Sequence, residues 1–198
     1  MNNQYFLLRH GESLRNVKSV ASCWPETIKY PLTKKGRDQA KQAAKKLLKK
    51  KIDMIFVSDL LRTKETAEIV GKVLGIKPKA DKRLREINVG VFNNKKIDDI
   101  GEFWNKEKDL SHLKYYQRRY HIAPKKGENY SQAEKRVTSF IKEIEKKYKG
   151  KKILIVSHQR TITLLEKVVA GYSLKKLIKI ILGKKEIKTG EVRKLKWN

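Results

Sequence analysis

The sequence predicts an α/β protein: a three-layer α/β/α sandwich on a mostly parallel sheet, with a small, partly helical cap inserted into it. Two observations carry this expectation. Apolar runs of strand length alternate with amphipathic helical patterns, the order that yields a parallel sheet covered on both faces. One stretch, about residues 93–126, breaks the rhythm and is too long for a simple connection, so it reads as a cap over the sheet edge. Neither internal repeats nor a low-complexity linker divides the 198 residues, which are expected to form one domain spanning 1–198.

Taken in order, residues 4–8 read as a buried strand. Pro31-Leu32-Thr33 then precedes a helix in which Ala40, Ala43, Ala44, Leu47 and Leu48 share one face, with Thr33 as its N-cap. Residues 54–57 form a second strand, followed by a helix over 60–74 that Gly75 terminates. The cap stretch holds Trp104, Tyr115, Tyr116 and the pair Arg118-Arg119. Ser131 with Glu134 resembles a capping box, opening a helix that buries Val137, Phe140, Ile141, Ile144 and Tyr148 and ends at Gly150. Residues 153–156 form a third strand, 161–169 the helix after it, and 191–197 a last strand.

Composition narrows the function classes. Hydrophobic residues make up 39% of the chain, enough for a core and too many for wholesale disorder. No apolar run approaches the length of a membrane span, and no basic region followed by an apolar stretch opens the chain, so neither a membrane partner nor a secretory signal is expected. Cys23, the single cysteine, cannot form an internal disulfide, which fits a reducing interior and a cytoplasmic protein. The charge is extreme: 49 Lys plus Arg against 21 Asp plus Glu, a formal net of +28. Such a balance admits nucleic acid as a partner without favouring it, because the lysines are spread along the chain rather than gathered in one arm. A strongly positive field also draws in small phosphorylated anions, and a homodimer is compatible with all of this.

The chemistry gathers at three strand ends, where active sites of open α/β sheets lie. The first gives Arg9-His10, followed by Gly11, which is expected to let a ligand approach the backbone. The second gives Ser58-Asp59-Leu60-Leu61-Arg62-Thr63, with Arg62 in the first turn of a helix, and the third gives Val156-Ser157-His158. Two arginines and two histidines converging on one edge suit a phosphoryl group, whose equatorial oxygens need several cations and N–H donors. A neutral imidazole there can attack phosphorus as a covalent nucleophile. The leaving alkoxide needs a proton donor, for which Glu86 is the candidate and Glu128 the alternative. Plainer readings compete: core histidines, a surface ion pair of Arg62 with Glu65 or Glu68, and a salt bridge of Glu86 with Arg85 or Lys82.

These motifs together resemble the histidine phosphatase superfamily, in its phosphoglycerate mutase-like branch. Arg9-His10-Gly11-Glu12-Ser13 with Asn16, then Pro31-Leu32-Thr33 with Gly36, Gln39 and Ala40, then Ser58-Asp59-Leu60-Leu61-Arg62-Thr63 with Thr66-Ala67 follow the family's order. Leu84 with Glu86 and Gly90, Gly127-Glu128 and Val156-Ser157-His158 continue it over nearly the whole chain. The resemblance implies that His10 becomes phosphorylated, that Arg9, Arg62 and His158 bind the phosphoryl group with Asn16 helping to position it, and that Glu86 is general acid and then base; backbone N–H at Gln159, where a helix starts, is a further phosphate-binding candidate. It implies no metal and no organic cofactor. Arg118-Arg119 resembles the cap element that contacts substrate in the mutases.

Two departures bear on substrate. After Gly90 the run is Val91-Phe92-Asn93-Asn94-Lys95 where many relatives carry an aromatic residue, a glutamate and a glycine. After the second histidine the family usually has glycine, and here Gln159-Arg160 follow, with Arg160 open to a second anionic group or to solvent. The leading expectation is a phosphomonoester phosphatase working through phosphohistidine on a small phosphorylated metabolite. The alternatives are a phosphoglycerate mutase, or a non-catalytic member that binds polyanions.

Overall fold

The computed structural model describes residues 2–104, 111–183 and 185–196. Strands β1 (Gln4–Arg9), β2 (Met54–Val57), β3 (Lys79–Ala80), β4 (Lys152–Ser157) and β5 (Val192–Lys194) form one sheet in the order β3-β2-β4-β1-β5. All neighbours are parallel except β5, which runs antiparallel to β1 at the edge. The strands alternate their side chains between two cores, as a pleat requires. Tyr5, Leu7, Phe56, Ile153 and Ile155 face one; Phe6, Leu8, Ile55, Val57, Leu154 and Val156 face the other.

Helices α1 (Leu14–Val17), α2 (Lys34–Leu48), α3 (Leu61–Leu74), α4 (Ile97–Trp104), α5 (His112–His121), α6 (Tyr130–Lys147), α7 (Gln159–Ala170) and α8 (Leu174–Leu182) complete the described structure. Ala43, Ala44 and Leu47 of α2, with Ala67 and Val70 of α3, pack on one face of the sheet, and α6, α7 and α8 cover the other. This is the expected three-layer α/β/α sandwich. The cap stretch contributes α4 and α5, joined through residues 105–110 that lie outside the described residues, as do the Trp104 side chain and Trp197.

Thr33 caps α2 by accepting from Gly36 N–H at 3.0 Å, and Gly75 ends α3 in the left-handed conformation (φ 69°), both as expected. Four expectations are corrected. Leu48 is exposed, because it lies on the outer side of the last turn of α2. The box opening α6 is Asn129 with Gln132, each side chain bonding the other's backbone N–H at 2.8 Å, while Glu134 is held by Tyr120 and Lys167 instead. That helix ends at Lys147, since Tyr148 already has extended dihedrals, before Gly150. Helix α8 was not expected: lysines interrupt its apolar pattern, but Ser173 caps it and Leu177, Ile178 and Ile181 are buried.

Gly11 and Gly36 explain how the loop after β1 meets α2. A Cβ at Gly11 would lie 2.2 Å from Gly36 O, and one at Gly36 would lie 1.9 Å from Glu12 O. The glycine after His10 therefore serves backbone–backbone packing against the start of α2. Gly36→Ala should destabilise the fold by about 2–3 kcal/mol, the range of core overpacking, read from denaturant midpoints at unchanged slope.

Candidate active site

Sheet register builds the site. In the parallel β1–β4 pair Arg9 stands opposite Ser157, so the next residues, His10 and His158, leave the sheet side by side. His10 N–H donates to Ser157 O (3.0 Å), and the two rings sit 5.3 Å apart. On the other side of β4, Ser58 follows β2 and its hydroxyl lies 2.9 Å from His158 Nε2. Arg62 enters from the first turn of α3, wholly buried, and donates to Ser22 Oγ (3.2 Å) and Ser22 O (3.0 Å). Arg9 donates through Nη1 to Ile187 O at 3.1 Å, from the loop before β5.

The hydrogen bonds fix the tautomer of His10. His10 Nδ1 is 2.7 Å from Gly11 O, and a carbonyl only accepts, so Nδ1 carries the proton and Nε2 keeps its lone pair. His158 Nε2 shares a hydrogen bond with Ser58 Oγ, a hydroxyl that can serve as donor or acceptor. His158 Nδ1 is buried with no hydrogen-bond partner, and so are Arg9 Nε and Arg62 Nε. The charges of Arg62 and Arg9 act on His10, so the two guanidinium groups and the imidazole share one pocket.

Electrostatics agree with this geometry. Desolvation, then the charges of Arg62 and Arg9, hold His10 well below the ordinary imidazole range. Desolvation followed by Arg62 and His10 does the same to His158. Burial lowers Arg9 and Arg62 to about 10, still cationic at neutral pH. Arg15 of α1, not singled out in the sequence, adds a third guanidinium whose charge acts on both histidines and on Arg62; its Nε donates to Val20 O at 2.8 Å. The only signal for it is a basic residue in the turn after the first motif.

The carboxylates sort themselves. Glu86 is half-buried, accepts from Ile87 N–H (3.0 Å) and lies 3.3 Å from the Thr161 hydroxyl; its charge acts on Arg9, Arg15 and Arg62. Arg85 turns away to a two-pronged bond with Asp59 (2.7 and 2.6 Å), so it is not the partner of Glu86. Glu128 is taken by Arg136 (2.7 and 3.1 Å) and by Asn88 N–H (3.0 Å). Glu65 accepts from Leu32 N–H at 2.6 Å rather than pairing with Arg62.

The remaining candidates are placed less centrally. Asn16 spends its amide oxygen on the Ser13 backbone N–H (3.0 Å) and hydroxyl (2.9 Å), shaping the turn beside the site. Gln159 donates its amide to Glu186 at 3.2 Å, and Arg160 is ion-paired with the same carboxylate instead of facing solvent. Arg119 of α5 stacks over Tyr115 and Tyr130, 5.7 and 5.1 Å from their centroids, and Arg118 beside it is half-buried.

A profile of the histidine phosphatase superfamily (branch 1) matches residues 5–198. The chain belongs to that superfamily. Among curated relatives of this histidine phosphatase, proteins named "Probable phosphoglycerate mutase GpmB" from Erwinia tasmaniensis and Escherichia fergusonii are 37% identical over 106 residues and 39% identical over 99 residues. These matches take in 52% and 50% of the chain and 48% and 45% of the relatives, so it spans about half the length of the curated proteins it matches. Among solved structures, a mycobacterial glucosyl-3-phosphoglycerate phosphatase in complex with VO3 superposes with a TM-score of 0.81 at 22% identity, covering 96% of this chain and 91% of that one. The alpha-ribazole phosphatase of Shigella flexneri gives 0.78 at 24% identity, over 98% and 91%. YhfR of Bacillus stearothermophilus gives 0.75 at 30%, over 88% and 83%.

Burying two neutral imidazoles has a pH consequence. The unfolded chain takes up protons on them below about pH 6.5, and the folded site, whose values are depressed, does not. Their contribution to stability is complete above that value and is lost as the pH falls below it. Melting temperature should fall between pH 7.5 and 5.5, and the His10→Gln, His158→Gln double variant should show a shallower fall.

Proposed function

We propose that this histidine phosphatase hydrolyses phosphomonoesters through a covalent phosphohistidine at His10. The observation that carries the reading is the pair of buried guanidinium groups, Arg9 and Arg62, each with an unpartnered Nε, whose charges act on a His10 ring that keeps its Nε2 lone pair free. Tetrahedral phosphoryl oxygens supply the missing acceptors, and guanidinium groups are suited to that geometry. The N-terminus of α7, whose cap residue His158 makes no side-chain capping bond, adds backbone N–H groups at Gln159 and beyond.

The reaction then has two steps. His10 Nε2 forms a bond to phosphorus as the ester P–O bond breaks, and the Glu86 carboxyl gives its proton to the departing oxygen. Water next attacks phosphorus with Glu86 taking its proton, the P–N bond breaks, and inorganic phosphate leaves with His10 neutral again. Arg9, Arg62 and His158 hold the charge building on the equatorial oxygens, with Arg15 reinforcing the field and Asn16 shaping the adjoining turn. What supports Glu86 over Glu128 as donor is that Glu128 accepts from Arg136 and from Asn88 N–H. A cytoplasmic setting suits the buried free thiol of Cys23.

One observation favours a second reading, phosphoglycerate mutase: the curated relatives carry that name. Incubation with 3-phosphoglycerate, with and without a bisphosphoglycerate primer, separates the two. Inorganic phosphate marks the hydrolase, and 2-phosphoglycerate marks the mutase.

His10→Ala should abolish both turnover and acid-labile phosphate labelling of the protein. Glu86→Gln should lower kcat by roughly 10²- to 10⁴-fold on esters with poor leaving groups, while Glu128→Gln stays within a few-fold. A large loss in Glu128→Gln with normal rates in Glu86→Gln would reverse the assignment. Orthovanadate should raise the melting temperature of the wild type, and Arg62→Ala should remove that shift.

A further inference from the structure

The lysine surplus is not evenly solvated, because part of it gathers in one cleft away from the phosphoryl site. Lys46 lies in the last turn of α2, and Lys49 and Lys50 follow it, spaced three and four residues on so that all three face the same way. Lys152 opens β4, and Lys194 closes the edge strand β5. These five side chains line a single cavity of about 460 Å³, whose other walls are Gln4, Phe6 and Val192. Among the described residues no carboxylate lines it, and none of the five ammonium groups is ion-paired. The acids closest in sequence are engaged otherwise: Asp53 accepts the Lys152 backbone N–H at 2.7 Å, and Glu191 holds Arg193. Gln4 and Lys152 are the first residues of β1 and β4, whereas His10 and His158 follow the last. Six residues of extended chain separate Gln4 from His10, about 20 Å, so the two cationic centres are distinct.

We propose that this cleft is a second anion site and that it takes a chain of linked phosphates, as in tripolyphosphate. It stands independently of the phosphatase reading. Like charges gathered without a counter-charge repel one another, and a multivalent anion relieves that repulsion. A guard against strand pairing accounts for Lys194 on the edge strand. It does not account for Lys152 on an interior strand, or for three lysines at a helix end. Every cation here is a lysine, a point charge on a flexible stem, which suits phosphates strung along a chain. Arginine, the residue for two-pronged capture of one carboxylate or phosphate, is absent from the lining. Phe6, the aromatic residue of the cleft, is 5% exposed, so it offers no face for a nucleic-acid base to stack on. Linked phosphates occur in free inorganic chains and in nucleoside triphosphates, and the missing stacking platform favours the former.

Calorimetric titration of the full chain with tripolyphosphate, in the presence of saturating orthovanadate, reads this cleft apart from the phosphoryl site. Binding should be saturable, weaken as salt is raised, and be unchanged in His10→Ala. The Lys49→Gln, Lys50→Gln, Lys194→Gln triple variant should bind about tenfold more weakly. A control that removes three exposed lysines elsewhere, Lys72→Gln, Lys146→Gln, Lys175→Gln, keeps the same net charge and should stay within about twofold of wild type. ATP separates the two sources: weaker or equal binding assigns the cleft to the inorganic chain, and tighter binding assigns it to nucleoside triphosphates. Equal losses in the two triple variants overturn the proposal in favour of the general field of the protein. Loss of binding in orthovanadate overturns it in favour of the phosphoryl site, and absence of saturable binding overturns it outright. An oligouridylate of equal charge that binds about tenfold tighter than tripolyphosphate gives the cleft to nucleic acid instead.

Discussion

Two guanidinium groups sunk in the interior without a full counter-charge are the constraint on which the rest of this structure depends. Arg62 is wholly buried and Arg9 nearly so, and the closest carboxylate to Arg62 is Glu26 at 3.8 Å. An isolated buried charge is expensive, and backbone carbonyls repay only part of that cost. Ser22 and Ile187 supply such carbonyls, from loops that lie far from Arg62 and Arg9 in sequence. The same desolvation and the same cations keep both imidazoles uncharged. A cationic pocket and a pair of neutral imidazoles are thus one physical fact seen from two residues.

That arrangement depends on register more than on any single side chain. With β1, β4 and β2 parallel and in step, the residues just beyond their carboxyl ends share one edge, so His10, His158 and Ser58 come within bonding reach. The loop before β5 then closes the edge from the outside. Its Gly190 N–H donates to the Arg9 and His10 carbonyls (3.1 and 3.2 Å), Thr189 receives Gln39 of α2, and Gln39 receives Glu12 N–H. The antiparallel strand β5 matters because it brings this loop back over the site.

Much of this was legible in the sequence because it is periodic or local. Short continuous apolar runs marked β1, β2 and β4, Thr33 and Gly75 marked helix ends, and the histidines and arginines at strand ends marked the site. What escaped is what depends on partners distant in sequence. Helix α8 is amphipathic only once its lysines are known to face water, and the capping role of Asn129 over Ser131 depends on where the chain turns from extended to helical. Arg15 gains its meaning from the burial of Arg62 beside it, and the hold of Arg136 on Glu128 appears only once α6 is formed. Gly11 shows the same limit: its packing against the Gly36 backbone is visible only in the fold.

The Gln159-Arg160 departure shows how selectivity separates from chemistry in this architecture. The groups proposed to meet phosphoryl oxygens come from strand ends and helix starts locked by sheet register. Around Arg160, Glu186 comes from the loop after α8, while Gln159 and Thr163, which also reach that carboxylate, belong to α7 itself. Exchanging a charge there leaves the strand register intact. Placing a cation next to the second histidine would by itself draw in any second anion. Glu186, which reaches both Arg160 and Gln159, cancels that pull, since a buried pair presents no net charge to an incoming group. A reading of Arg160 from its own position gives a free cation, and a reading of the pair gives a neutralised one.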